Sequence, residues 1–184
     1  MKVGWVTQLV VHSDFREQGL ATGLCRLLSK RGAVSWGILS SHPAAVMAMA
    51  RGLGGEFFIS TCRKKSHELI FILDGIEEVD LKYMQNSAWY TMNASPIPYV
   101  RDAPFSGSLF GFSLPRKSDN VASADTKFYV GHAEPDKALE RVKGQGRWPL
   151  GGLAPGHEYL LIIRAKALPT VPAAVDWMFR RSRA

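Results

Sequence analysis

The chain has few cysteines and no long apolar run. Cys25 and Cys62 are the two cysteines among 184 residues, and they lack the spacing of a metal or redox motif. We therefore expect no disulfide framework, and reduced thiols in a cytoplasmic or nuclear protein. No apolar segment approaches the roughly 20 residues that a membrane span needs. The N-terminus also has no charged region followed by a cleavage site, so we predict neither a membrane protein nor a secreted one.

The sequence also lacks a basic stripe. The formal net charge is +7, but lysine and arginine are dispersed apart from residues 63–65 and 180–183. Aromatic residues do not alternate with them, as single-stranded nucleic acid would favour. A nucleic-acid partner is therefore not expected, although a weak contact at the basic tail remains an alternative. With 46% hydrophobic and 21% charged residues, the composition is that of an ordinary globular chain.

The most informative pattern lies in residues 6–22. An apolar strand pattern runs into the loop Arg16-x-x-Gly19-x-Ala21, and an amphipathic helix follows at once. The first amides of a helix have no partner within it, and the helix dipole favours negative charge there. Small residues at positions 19 and 21 would let a diphosphate approach those amides. The pattern therefore predicts an anion site suited to a nucleotide-bearing cofactor.

The next elements follow from periodicity and caps. The helix after the loop has one apolar face and is expected to end before Gly32. Residues 33–39 read as a buried strand parallel to the first, since a helix separates the two. A second helix is predicted from Pro43 to the glycines at 52–55. The apolar face of the first helix consists of Leu20, Leu24, Leu27 and Leu28.

This order of elements resembles the GNAT superfamily of acyl-CoA N-acyltransferases. The matching segments are Leu9–Val11, Arg16–Ala21, Val34–Leu39 and Ser41–Ala45. The resemblance covers about residues 3–73 and is strongest over the first fifty or so. It implies an α/β fold, with a mixed sheet and flanking helices, that binds acetyl-CoA as co-substrate and needs no metal.

The resemblance also implies which residues bind the cofactor. Loop amides would hold the pyrophosphate, and the strand backbone near Val11 would hydrogen-bond the pantetheine arm and face the thioester carbonyl. An ordinary solvated loop with a turn glycine is the alternative interpretation of the same residues. The implied cofactor-binding set is Leu9, Val11, Arg16, Gln18, Gly19, Leu20, Ala21 and Thr22.

The chain departs from the family pattern at its start. Family members carry three strands and two helices before the strand that begins here near Val3, and these form much of the acceptor groove. We therefore expect residues 3–11 to expose a sheet edge. Another copy of the chain or its C-terminal part would cover that edge, or the chain is a shortened gene product. Self-association through this edge is one expected form of partnership.

The catalytic groups are not identified by the sequence. Attack on a thioester needs a neutral amine, and a base helps to supply it. The predicted strand 3–11 carries no Asp or Glu, and Met49 and Ala50 stand where many relatives have a proton-donating Tyr. The nearest titratable side chains are His12 and His42, and a histidine at an element end more often has a structural role.

We expect three segments along the chain. Residues 1–74 are the acetyl-CoA-binding half, and residues 157–184 are a final strand with a basic tail. Residues 75–156 between them form an elaboration that resembles an extension of uncharacterised fungal relatives. The elaboration and tail contain His132, Glu134 and His157, without the spacing of a metal site. The elements predicted there are strands at 67–74, 126–130 and 157–164 and helices at 77–92 and 134–142, with the 67–74 and 157–164 strands paired as a hairpin.

Two functions remain open at this point. One is an N-acetyltransferase that moves an acetyl group from acetyl-CoA to an unidentified amine by direct attack in a ternary complex. The other is a non-catalytic acyl-CoA-binding or interaction protein that kept the cofactor loop.

Overall fold

A computed structural model describes residues 2–54, 79–111, 119–131, 133–144 and 148–165. The predicted 67–74 strand, Cys62, His132 and the basic tail lie outside these residues. The strands are β1 (Val3–Val6), β2 (Ser35–Ser40), β3 (Phe105–Ser106), β4 (Ser123–Asp125) and β5 (His157–Arg164). The helices are α1 (Leu20–Ser29), α2 (Pro43–Leu53), α3 (Leu81–Asn93), α4 (Pro98–Arg101) and α5 (Ala133–Gly144).

The strands form one mixed sheet in the order β1-β2-β5-β4-β3. β1 and β2 are parallel, and β5 pairs antiparallel with both β2 and β4. β5 is therefore central, and its apolar run from Tyr159 to Ile163 is buried. An α/β chain with a mixed sheet and flanking helices is the coarse fold that the sequence predicted. The sheet takes strands from all three expected segments.

The register of β1 on β2 is set by two reciprocal glycine–tryptophan pairs. Gly4 lies opposite Trp36, and Trp5 lies opposite Gly37. A Cβ at Gly37 would lie 2.8 Å from the Trp5 ring, and one at Gly4 would collide with the Trp36 ring. Each indole therefore covers the space that its partner leaves free, one on each face of the sheet. The Trp5 indole N–H also donates to the Thr91 carbonyl at 2.9 Å, which joins β1 to α3.

Several predicted boundaries shift. The first strand ends at Val6 rather than Val11, because residues 7–11 leave the sheet. The third helix begins at Leu81, where the Asp80 side chain accepts from the Tyr83 amide at 2.8 Å. The predicted strand at 126–130 is wrong. The strand there is β4, whose pairing with β5 covers residues 123–125 only.

The predicted helices α1, α2 and α5 and the strand β5 are confirmed, but the buried face of α1 is not the predicted one. Of the four predicted leucines, Leu28 is partly buried and packs against the core. Leu20, Leu24 and Leu27 are 49%, 51% and 61% exposed, whereas Cys25 is buried. A Cβ on Gly52 of α2 would collide with the Cys25 Cβ and lie 2.8 Å from the Thr22 carbonyl oxygen. The two helices therefore meet through small residues, and this close contact turns the leucines outward.

In the part of the chain that the structure describes, no helix combines the length and apolarity needed to span a membrane. β1 is at one edge of the described sheet, whereas residues 7–11, which were expected to continue that edge, do not belong to the sheet.

Candidate functional site

A cavity lies where the parallel strands β1 and β2 part. The two strands pair up to Val6 and Ile38, and beyond that point residues 7–10 separate from Leu39 and Ser40. The space between them has a volume of about 330 Å³ and is also lined by Tyr99, Phe128 and Glu158, among others. Carboxyl ends of parallel strands are a common place for ligands in α/β sheets. Residues 7–10 line this cavity and have no strand partner among the described residues.

The predicted anion loop lies at the start of α1. Gly19 is the N-cap residue with φ 76°, a left-handed conformation that favours glycine, and it provides no side-chain cap. A Cβ at this position would meet no atom within 4 Å, so there is free space beside Gly19. Arg16, Gln18, Gly19 and Leu20 are exposed, while Ala21 and Thr22 are half-buried. This arrangement leaves room for an anion at the helix start.

Arg16 connects the loop to Val11, which follows the cavity-lining residues 7–10, and to α5. Its Nε donates to the Val11 carbonyl at 3.1 Å, and its Nη1 pairs with the Glu134 carboxylate. A second ion pair joins Arg141 of α5 to Glu17 of the loop at 3.8 Å. α5 therefore rests on the loop through charged side chains, and it brings a carboxylate next to the arginine that the sequence assigned to the cofactor.

His42 acts as a helix cap. Its Nδ1 accepts from the Ala44 amide at 3.1 Å, so in the neutral ring the hydrogen is on Nε2. That Nε2 lies 3.8 Å from a Glu134 carboxylate oxygen. Burial lowers the pKa of His42, the Glu134 carboxylate works against this, and Arg16 adds to the lowering. The Nδ1 lone pair of His42 is therefore occupied by the backbone amide of Ala44.

His12 has the same local role. Its Nδ1 accepts from the Asp14 amide at 3.4 Å and so caps the short 3₁₀ helix at Ser13–Phe15. The side chain is 69% exposed, and neither His12 nor His42 lines the cavity. The two histidines that the sequence offered as catalytic candidates are therefore placed at caps.

An acidic group missed by the sequence lies in the cavity instead. Glu158, the second residue of β5, lines the cavity and is only 6% exposed. Its Oε2 has no hydrogen-bond partner among the described residues, and Thr126 can donate to the carboxyl group. Burial raises the pKa of Glu158, and the Thr126 hydrogen bond opposes the rise. Burial, and then the nearby Glu158 carboxylate, raise the pKa of Tyr99.

The structure thus divides the predicted site residues into two groups. Leu9 lines the cavity, while residues 16–22 form the loop and first turn of α1. Val11 joins the groups through its hydrogen bond with Arg16. Within the described ranges, no group of three His, Cys, Asp or Glu side chains is arranged to hold a metal ion.

A sequence pattern could have pointed to Glu158. The segment His157–Arg164 is apolar except at its ends, and an acidic residue inside a buried strand is unusual enough to suggest a role. Tyr99 and Phe128 had no such signature, since only the fold brings α4 and the segment after β4 to the strand ends.

Comparisons with family models, with curated proteins and with solved structures find no match to this chain.

Proposed function

We propose that the protein is an acyl-CoA-dependent N-acyltransferase that transfers an acetyl group from acetyl-CoA to an amine. The observation that carries the proposal is the cavity between the diverging ends of β1 and β2, together with the open helix start at Gly19 on the same segment. The diphosphate would bind the first-turn amides of α1. The thioester would enter the cavity, and the acceptor would attack there.

The backbone of residues 7–10 supports this assignment. The pantetheine arm is a chain with two amides, and a backbone segment that has left its sheet offers complementary groups. The same donors would be near the thioester carbonyl, where negative charge develops during attack. Arg16 links this segment to the loop through its hydrogen bond to the Val11 carbonyl.

The test is a thermal melt with and without acetyl-CoA. Saturation at about 100 times Kd stabilises the folded state by roughly 2.7 kcal/mol, which corresponds to a rise in Tm of several degrees. We expect Gly19→Trp to abolish the shift, because the indole would fill the space in front of the first turn. An unchanged shift in this variant would overturn the loop assignment.

Gly32→Trp is the matched control. Gly32 follows α1 at its other end, has φ 68° and has the same open surroundings as Gly19. The two substitutions therefore add the same bulk and similar backbone strain. We expect Gly32→Trp to lower Tm by a similar amount and to keep the acetyl-CoA shift.

The alternative function is acyl-CoA binding without catalysis. It predicts the same acetyl-CoA shift and no transfer to any amine. A mass-spectrometric assay for acetylated product over a panel of amines separates the two functions.

A further inference from the structure

Helix α1 presents an apolar face that the described part of the chain leaves open. Leu20, Leu24 and Leu27 have the spacing i, i+4 and i+7, so they lie on one side of the helix, and each is about half exposed. We call these three residues the leucine face. Another side of α1, through Cys25, already packs on Gly52 of α2. A row of exposed leucines on one helix is typical of a surface on which another surface packs.

Charged residues of opposite sign stand at the two ends of the leucine face. Glu17 comes three residues before Leu20, and Lys30 comes three residues after Leu27. Both charged side chains are exposed. Glu17 has an ion pair with Arg141 at 3.8 Å, but both side chains of that pair are largely in solvent, and such pairs contribute little. The acidic end and the basic end of the face are therefore accessible to a partner.

This pattern is complementary to itself when two copies of α1 run antiparallel about a two-fold axis. Leu20 of each copy then faces Leu27 of the other, and Leu24 lies near the axis, where it meets its own copy. Glu17 of each copy faces Lys30 of the other. In a parallel arrangement the basic ends would meet each other, and like charges would oppose the contact. The charges therefore favour a second copy of this chain, in the antiparallel direction.

We propose that the protein forms a two-fold symmetric dimer in which the leucine faces of two α1 helices pack antiparallel. Two ion pairs between Glu17 and Lys30 close the ends of this interface. The dimer does not depend on the acyltransferase function proposed above, because it uses a different surface property of α1. A single helix pair is a small interface, so we expect dimerisation to depend on protein concentration.

The first experiment is sedimentation velocity on the full chain, at protein concentrations from about 1 µM to about 1 mM. We expect wild type to pass from monomer to dimer in this range. Leu24→Glu puts two like charges at the centre of the interface, and it should raise the dimer dissociation constant at least about a hundredfold. Because Leu24 is half exposed in the monomer, the variant should keep the far-UV circular dichroism spectrum of wild type.

Trp89→Glu is the matched control. Trp89 lies on α3 rather than on the leucine face, and it is 71% exposed. The variant adds the same negative charge in place of another exposed apolar side chain of a helix. It should keep the dimer dissociation constant within about twofold of wild type, as exposed substitutions outside an interface do.

Exchange of the end charges tests the antiparallel arrangement. Glu17→Lys and Lys30→Glu each place like charges at both ends of the interface, and each should weaken dimerisation about tenfold. A simple effect of net charge would act in opposite directions in these two variants. The double variant restores opposite charges and should return the dissociation constant to within about threefold of wild type. Arg141→Gln removes the partner of Glu17 within one chain and should leave dimerisation unchanged.

Three results would overturn the dimer. The first is a wild type that stays monomeric up to about 1 mM. The second is a Leu24→Glu variant that dimerises as wild type does. The third is a monomer in which Leu24→Glu lowers Tm strongly and Trp89→Glu does not, since another part of the same chain then covers the leucines. A dimer that Leu24→Glu dissociates, but in which the double charge variant restores nothing, overturns the antiparallel arrangement.

Discussion

At the scale of single residues, the carboxylate of Glu134 lies beside the loop that we propose to bind the cofactor. It pairs with Arg16 and lies 3.8 Å from the His42 ring, so one acidic group of α5 contacts both the loop and the start of α2. An incoming diphosphate would compete with it for Arg16. The pair is largely exposed, and such pairs contribute about 0–1 kcal/mol.

We therefore expect Glu134→Gln to tighten acetyl-CoA binding by up to about fivefold. The change frees Arg16 and removes a negative charge near the proposed anion site. Calorimetric titration with acetyl-CoA measures the effect. Glu140→Gln, an equal charge change at an exposed position of the same helix, should have a smaller effect. Weaker binding in Glu134→Gln than in Glu140→Gln would contradict the competition.

Glu158 makes the stability of the protein depend on pH. Its pKa in the folded protein is raised above the usual value near 4.5, so the folded state holds the proton longer than the unfolded state. This contribution to stability is complete below the unfolded pKa and is lost as pH rises through the folded pKa. Glu158→Gln lacks the effect. We expect the Tm of Glu158→Gln minus the Tm of wild type to increase as pH rises from about 4 upward.

Melting curves of both proteins across this pH range give the comparison. Glu140→Gln serves as the reference, since it removes a carboxyl group at an exposed position of α5. Parallel profiles for wild type and Glu158→Gln would contradict the assigned burial effect.

At the scale of elements, the contact of α1 with α2 positions the loop. A Cβ at Gly52 would collide with the Cys25 side chain and lie 2.8 Å from the Thr22 carbonyl oxygen, and Thr22 belongs to the first turn that would bind the diphosphate. Any side chain at 52 must push the two helices apart. The small residues therefore fix the distance between α1 and α2, although the sequence periodicity had predicted the leucines as the apolar face of α1.

Gly52→Ala should destabilise the protein by about 1–3 kcal/mol, as overpacking does. Gly23→Ala is the control, because Gly23 is helical and a Cβ there meets no atom within 4 Å. Alanine at 23 should stabilise by about 0.5–1 kcal/mol through helix propensity. Chemical denaturation gives both values, and a Gly52→Ala variant as stable as Gly23→Ala would contradict the close contact.

At the scale of the whole molecule, β5 is the strand that joins the two parts of the described sheet. It comes late in the chain but lies between β2 and β4, so the N-terminal β1–β2 pair completes its sheet with a strand more than a hundred residues away. The sheet cannot be divided into an independent cofactor half and an added C-terminal part without breaking the β2–β5 pairing.

We expect Leu160→Ala to destabilise the molecule by about 2–5 kcal/mol, because this β5 side chain is fully buried. Unfolding should remain one transition in which far-UV circular dichroism and tryptophan fluorescence coincide. Ile97→Val, at a partly buried position, is a milder control. Two separate transitions in wild type would contradict the central role of β5.

The sequence by itself determined most helices and strands of the described chain. Caps and breakers delimit α2 between His42 and Gly54, and the apolar run 157–164 corresponds to β5 along its whole length. Such local features depend on residues that are close together in the sequence, and they can therefore be predicted from the sequence alone. The position of the loop at the start of α1 was likewise predictable.

The tertiary structure decided what lies in the site. The end of β1 at Val6, the cavity beyond it and the arrival of Glu158 and Tyr99 all result from pairing between distant segments. The exposed leucines of α1 have the same origin, since packing against Gly52 outweighs periodicity. Local patterns specify elements through short-range hydrogen bonds, whereas the contacts that assemble a cavity are made between residues that no pattern in the sequence links.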